Sequence, residues 1–257
     1  MRALNGFFVL LVYFNQVVAE SGQSGIPAII TDRPDQSESA FIVPVGHLQI
    51  ETGFVLSQDR QDDHSKIRTY DVATTLLRYG ITDLFEFRLG GSFTIQRLST
   101  PFISRTVSGI NGLSIGSKLQ LLQGKGPLPR TALIAMVNLP VGPEAFRPDG
   151  PSYRVLLASV SPLTETLSLS YNIGGEREGS TALYFFTASF GVSLSERLGA
   201  FLEVYGNRSA GVPAELHFDT GLTHLLSPAI QLDSSVGFSF TAESWFFNAG
   251  LAFRLPR

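Results

Sequence analysis

Apolar and polar residues alternate with period two along most of this chain, the signature of β-strands with one apolar and one polar face. Leu48, Ile50, Thr52, Phe54 and Leu56 share one face, and His47, Gln49, Glu51 and Gly53 share the other. Phe85, Phe87 and Leu89 alternate with Glu86, Arg88 and Gly90. The same pattern runs through Leu113–Leu121, Leu167–Ile173, Ile230–Phe240 and Trp245–Phe253. It predicts about twelve strands, at 46–57, 67–80, 84–93, 110–122, 131–140, 152–161, 166–176, 181–194, 198–206, 214–225, 229–241 and 244–254. Most are about ten residues long, enough for a tilted strand to cross a bilayer. The faces of 131–140 and 152–161 stay ambiguous, because both sides are apolar there.

Connection lengths add direction. The even-to-odd turns are short: Gly80–Asp83, Gln123–Arg130, Pro162–Glu165, Ser195–Arg197 and Leu226–Pro228. Several odd-to-even connections are longer: Ser57–Lys66, Thr94–Gly109, Val141–Pro151 and Asn207–Pro213. Short turns on one side and long loops on the other suit an outer-membrane barrel with its termini in the periplasm. Three short turns share a form of apolar residue, Ser/Thr, acid, any residue, apolar residue: Ile81–Phe85, Leu163–Leu167 and Leu194–Leu198. Hydroxyl side chains can bond the backbone of such turns.

The fold class expected is therefore all-β: an antiparallel up-and-down transmembrane β-barrel over residues 46–257. Composition narrows this further. Only 16% of residues are charged and 20 are Phe, yet no apolar run behind the N-terminus is long enough for a helical span. A soluble periplasmic β-sandwich that binds sugar or protein is the alternative. Residues 1–19 read as a secretory signal peptide, with Met1-Arg2, an apolar run Phe7–Phe14 and the small residues Val17 and Ala19 before a cut. A buried N-terminal helix is the other reading. Residues 20–45 are polar and contain Pro, so they form a periplasmic lead-in or a plug inside the lumen.

The polar stripes carry Gly, Ser, Asn and isolated charges, as a crowded lumen would. The candidate lumen-lining residues are Glu51, Arg78, Glu86, Arg88, Lys118, Arg154, Glu203, Asp219, Asp233 and Arg254, five of each sign. A balanced set in a low-dielectric interior is best held as paired, hydrogen-bonded networks that brace the wall. A charged constriction for a polar solute is the sharper reading. Trp245, Phe246, Phe247, Tyr184, Phe185 and Phe186 fall near strand ends, where an aromatic girdle would lie.

No catalytic, cofactor or metal site is expected. Gly112-Leu113-Ser114-Ile115-Gly116 matches G-x-S-x-G, but the flanking residues keep alternating as a strand, with no turn into a helix. The four histidines, His47, His64, His217 and His224, lack ligand spacing, and there is no cysteine. A net charge of −3 without a basic run gives no reason to expect nucleic acid as a partner. The expected partners are outer-membrane lipid, the barrel-assembly machinery and a small-molecule solute.

Several segments resemble the bacterial family described as putative MetA-pathway of phenol degradation proteins. They include Thr31-Asp32-Arg33-Pro34-Asp35-Gln36-Ser37-Glu38, Gly46–Gly53, Leu76–Asp83 with Phe85–Arg88, Leu139–Gly142, Leu198–Glu203 and Gln231–Asp233. The resemblance spans nearly all of residues 30–255. It implies an outer-membrane barrel tied to uptake of hydrophobic or aromatic compounds, and it supplies no catalytic residues. The function expected is a narrow pore or transport-related barrel for small compounds. A closed structural or adhesive barrel working through its outer loops is the alternative. The chain ends Phe253-Arg254-Leu255-Pro256-Arg257, not on the terminal aromatic common in such barrels.

Overall fold

The computed structural model describes residues 27–60, 65–125 and 128–255; the expected signal peptide lies outside them. Twelve strands form one closed antiparallel wall. In chain order they are β1 Leu48–Arg60, β2 Lys66–Thr82, β3 Phe85–Ser99, β4 Ser104–Lys125, β5 Leu128–Asn138, β6 Ser152–Pro162, β7 Leu167–Glu178, β8 Thr181–Ser193, β9 Leu198–Ser209, β10 Glu215–Ser227, β11 Ile230–Ser239 and β12 Glu243–Leu255. Each strand pairs with its sequence neighbours, and β1 pairs β12 from Leu48↔Leu255 to Arg60↔Glu243. Closure pairs the strands on both sides through the body of the wall, the condition for a sheet to sit in lipid, while the outer part of β4 pairs with β3 alone. Among the described residues, no helix is long and apolar enough to cross a membrane.

The barrel is polar within and apolar without. Glu51, Arg78, Glu86, Lys118 and Asp219 show no exposure at all, whereas Phe87, Phe93, Ile173, Val236 and Phe247 are exposed. A water-soluble sandwich would reverse this order, so that alternative falls. The ambiguous strands resolve too. On β5 and β6, Ala132, Ile134, Leu156 and Ala158 are buried, while Tyr153, Val155 and Leu157 face outward. Ile134, Leu156 and Ala158 pack with Met136 and Phe185 as an apolar patch on the inner wall. Of the aromatics near strand ends, Tyr184, Phe186, Trp245 and Phe247 are exposed on the outside. Phe246 instead turns inward, where its ring fills the space over Gly237.

One connection departs from expectation. Thr94–Gly109 is no long loop; β3 and β4 continue as a paired hairpin to Ser99↔Ser104. The turn is confined to Thr100–Ile103, and a bulge lies further down the same hairpin. The register shifts between Gly90 and Ser92, opposite Gly112, whose φ of 63° places it in the left-handed region. Ser114 of the G-x-S-x-G stretch therefore sits in mid-strand on β4, not on a turn.

Candidate functional site

Residues 27–45 run inside the barrel. They enter beside the β10–β11 turn, where the Ile29 amide donates to the Pro228 carbonyl (2.8 Å) and Arg254 donates to the Pro27 carbonyl (2.6 Å). They leave beside β2, where Val45 bridges Gly80. A side chain at Gly80 would collide with the Val43 carbonyl, so only glycine lets this segment pass. Both passages lie at the short-turn end of the barrel.

Asp32 is the centre of one half of the site. Its carboxylate meets Arg78 (3.2 Å), Arg88 (2.9 Å) and Lys118 (2.9 Å), all fully or nearly fully buried. Arg78 also holds Glu51 (2.9 Å) and Glu86 (2.8 Å), and Arg88 holds Glu38 (2.6 Å). The backbone of the inner segment satisfies what remains. Arg78 donates to the Phe41 carbonyl (2.8 Å) and Lys118 to the Ser39 carbonyl (2.8 Å), while the Val43 amide donates to Glu86 (2.9 Å). Four carboxylates and three cations thus form one network. Burying such charges is tolerable because Arg78 and Lys118 are fully engaged by carboxylates and carbonyls. Arg88 is held less completely, its Nε without a hydrogen-bond partner among the described residues and its Nη1 meeting Asp32 as an ion pair.

Arg33 points the opposite way. Its guanidinium donates to Asn248 (2.5 Å) and Asp233 (3.2 Å) and lies over Gly53 and Gly250, which are paired across β1 and β12. A β-carbon at either glycine would come within 2.3 Å of its Nη2. Gly250→Ala is therefore expected to dislodge Arg33 while leaving the outer wall intact. Planar-bilayer recordings should show more frequent openings, with the heat-dependent gel shift of a folded barrel preserved. Unchanged recordings would remove Arg33 from the closure.

Where Pro34–Glu38 meet β7–β12, the contacts are to neutral groups and one carboxylate. Glu203 accepts from the Gln36 amide and the Ser37 hydroxyl, both at 2.6 Å. Asn172 accepts from the Glu38 amide (2.7 Å). Asn248 and Ser235 both donate to the Pro34 carbonyl. Asp219 stands directly across from Glu203 on β10, and its buried carboxylate meets no hydrogen-bond donor among the described residues.

All ten candidate lumen residues lie on the inner face, but they are not a self-paired set. Glu51, Arg78, Glu86, Arg88 and Lys118 cluster on β1–β4, whereas Glu203, Asp219 and Asp233 on β9–β11 form no ion pair with a cation of the wall among the described residues. The inner segment supplies the missing charges, Asp32 to the first wall and Arg33 to the second. Arg154 lies apart, stacked over Phe185 at 4.3 Å and weakly paired with Glu176 at 3.9 Å. Arg254 binds the segment's entry through Pro27. Sequence reasoning missed Asp32, Arg33, Asp35, Ser37 and Glu38 as site residues. Four charges within seven residues of a Pro-containing, non-periodic stretch were the available signal.

The inner segment divides the free lumen. A cavity of ≈ 320 Å³ lies toward the long-loop end, among Arg88, Arg154, Leu76, Met136, Ser114 and Asn138. A second, of ≈ 210 Å³, lies toward the short-turn end, among Ser168, Ser170, Ser189, Gly199 and Thr223. Asp35 lines both. Among the described residues, no group of His, Asp or Glu is arranged to hold a metal ion. His217 stacks on Tyr205 inside the wall, at 4.9 Å, and His224 is exposed on the outside.

A family model described as putative MetA-pathway of phenol degradation matches residues 31–255. No curated protein sequence matches the chain. Among solved structures, an outer-membrane channel from Pseudomonas putida F1 superposes with a TM-score of 0.67 at 13% identity, over 84% of this chain and 98% of that one. The β domain of the Bordetella autotransporter BrkA gives 0.59 at 12% identity, over 81% and 99%. The NanC porin gives 0.51 at 7% identity, over 81% and 100%. At such identities the likeness is one of fold. With the apolar exterior, it places the chain in the outer membrane.

Proposed function

The chain belongs to the family described as putative MetA-pathway of phenol degradation, and from that premise we propose that it is a narrow outer-membrane channel for small hydrophobic or aromatic compounds, constricted by its own residues 27–45. The observation that carries this reading is the divided lumen: cavities open on both sides of one short segment, and Asp35 borders each. A barrel built only as a scaffold has no need to keep both approaches clear. The short turns face the periplasm and the larger cavity faces outward.

The lining fits a weakly polar ring. Met136 and Leu76 offer apolar surface at the outer cavity, and Met136 adjoins the Ile134–Leu156–Phe185 patch. Ser114, Asn138 and Arg154 offer hydrogen-bond partners. Sites of this kind combine an apolar wall with a few placed polar groups. The reading assigns passage and no catalytic step. Lipid around the wall and assembly by the barrel-insertion machinery complete the partners we propose.

Uptake into proteoliposomes tests it. Vesicles holding the full chain should admit phenol-sized aromatic compounds faster than protein-free vesicles, and faster than a charged sugar of similar mass. Met136→Gln should lower the aromatic rate severalfold and leave the barrel folded. Entry rates no greater than those of empty vesicles would favour the closed, structural barrel.

A further inference from the structure

The outer surface of β1–β3 carries a cationic patch that the lumen does not explain. Alternation from the inward residues Gln49 on β1 and Thr94 on β3 puts Gln58, Arg60 and Arg97 on the outside of the wall. A bulge at Ala73 switches the faces of β2, so that Lys66 and Arg68, paired with Arg60 and Arg97, also face outward. Arg60, Lys66, Arg68 and Arg97 are exposed. Arg68 and Arg97 are directly opposed partners across β2 and β3, and Lys66 lies two residues along on the same face. Like charges placed directly opposite destabilise a ladder. Arg60 is neutralised by Glu243 at 2.8 Å, but among the described residues Arg68 and Arg97 bond the neutral Gln58 and Ser104.

The height of the patch is set by strand length. A tilted strand crosses the hydrocarbon in about ten residues. Counting outward from Tyr79 on β2 and Phe87 on β3 brings the lipid boundary to the level of Tyr70 and Gln96. Arg68 and Arg97 are the next outward-facing residues. Beneath them lie two rows of lipid-facing side chains, Leu56–Tyr70–Ile95 and then Phe54–Val72–Phe93–Ile110. Cations directly above an apolar belt match a lipid with an anionic head and acyl chains below it.

We infer that Arg68, Arg97 and Lys66 form a binding site for a phosphorylated glycolipid of the outer leaflet, its phosphate bridging the two guanidiniums and its acyl chains lying on Phe93 and Ile110. The bound phosphate relieves the Arg68–Arg97 repulsion. It also anchors the β3–β4 hairpin, which projects above the membrane.

Native mass spectrometry of the full chain in detergent tests this, with bisphosphorylated lipid A and its fully dephosphorylated form as probes. The wild-type chain should retain one bisphosphorylated lipid and lose the dephosphorylated one. R68Q/R97Q should bind the bisphosphorylated form at least about tenfold more weakly, whereas R197Q, in an exposed turn at the opposite end, should not. Both variants must keep the heat-dependent gel shift. Millimolar inorganic phosphate should displace little lipid, since it lacks the acyl contacts. Equal retention by wild type and R68Q/R97Q, equal retention of both lipids, or equal loss in R197Q would each overturn the site.

Discussion

Deleting residues 27–43 is expected to raise single-channel conductance severalfold. Those residues occupy the lumen from the Pro228 turn to the exit at Gly80. They fill it with hydrogen-bonded backbone and with the Arg33 side chain, which reaches Asp233 and Asn248. Once they are removed, the cavities now separated at Asp35 become one passage. The wall should survive, because its strand pairing is continuous from β1 round to β12 without any contribution from the segment. Asp32 and Arg33 also leave, so the charges they offset stay behind on opposite walls: Arg78, Arg88 and Lys118 on one, Asp233 on the other. A transverse field of this kind orders a polar solute without strongly favouring either ion sign. The check is planar-bilayer recording on a variant whose heat-dependent gel shift proves closure. If that variant is folded and conducts no better than the full chain, residues 27–43 do not constrict the path.

The barrel itself was legible because lipid and lumen impose opposite demands on alternate residues. Leu48, Ile50 and Thr52 against Gln49 and Glu51 already state which face is which. The ten lumen charges follow from the same parity. Their partners do not, since pairing across a lumen depends on what fills it. Glu203, Asp219 and Asp233 count as balanced by Arg78 or Arg88 only if position is ignored; in space they face a different wall. The filling segment has no period to read. Its residues are set by hydrogen bonds to Asn172, Glu203 and Asn248, which are over a hundred positions away. The β3–β4 hairpin failed for a local reason. Ser99-Thr100-Pro101 reads as the middle of a long loop, yet the chain turns within Thr100–Ile103 and the ladder continues from Ser99↔Ser104 back to Thr94↔Gly109. Gly109 lacks a side chain where Pro143 of the long outer loop crosses, and a β-carbon there would lie 2.3 Å from the proline ring.

Arg78→Met should be the most destabilising single substitution in the wall. Arg78 is completely buried and serves Asp32, Glu51 and Glu86 together, besides the Phe41 and Ile30 carbonyls. Met keeps much of the volume but leaves Glu51 with only Gln49 and the Asp32 amide, and Glu86 with the Val43 amide and distant Arg88 and Lys118. Breaking a buried network by removing one partner costs about 3–5 kcal/mol, because the orphaned charges stay desolvated. The expected readout is a lower urea midpoint in lipid vesicles, with more frequent channel openings as Phe41 and Ile30 lose their tether. Exposed Arg197→Gln should change the unfolding free energy by no more than about 0.5 kcal/mol. Neutralising the partners separates charge from shape. Arg78→Met with Glu51→Gln and Glu86→Gln removes two of the stranded charges and should recover a large part of the loss, since amides cost less to bury than carboxylates. If the triple variant is weaker than Arg78→Met alone, packing around the guanidinium governs this wall and the ion network is incidental to it.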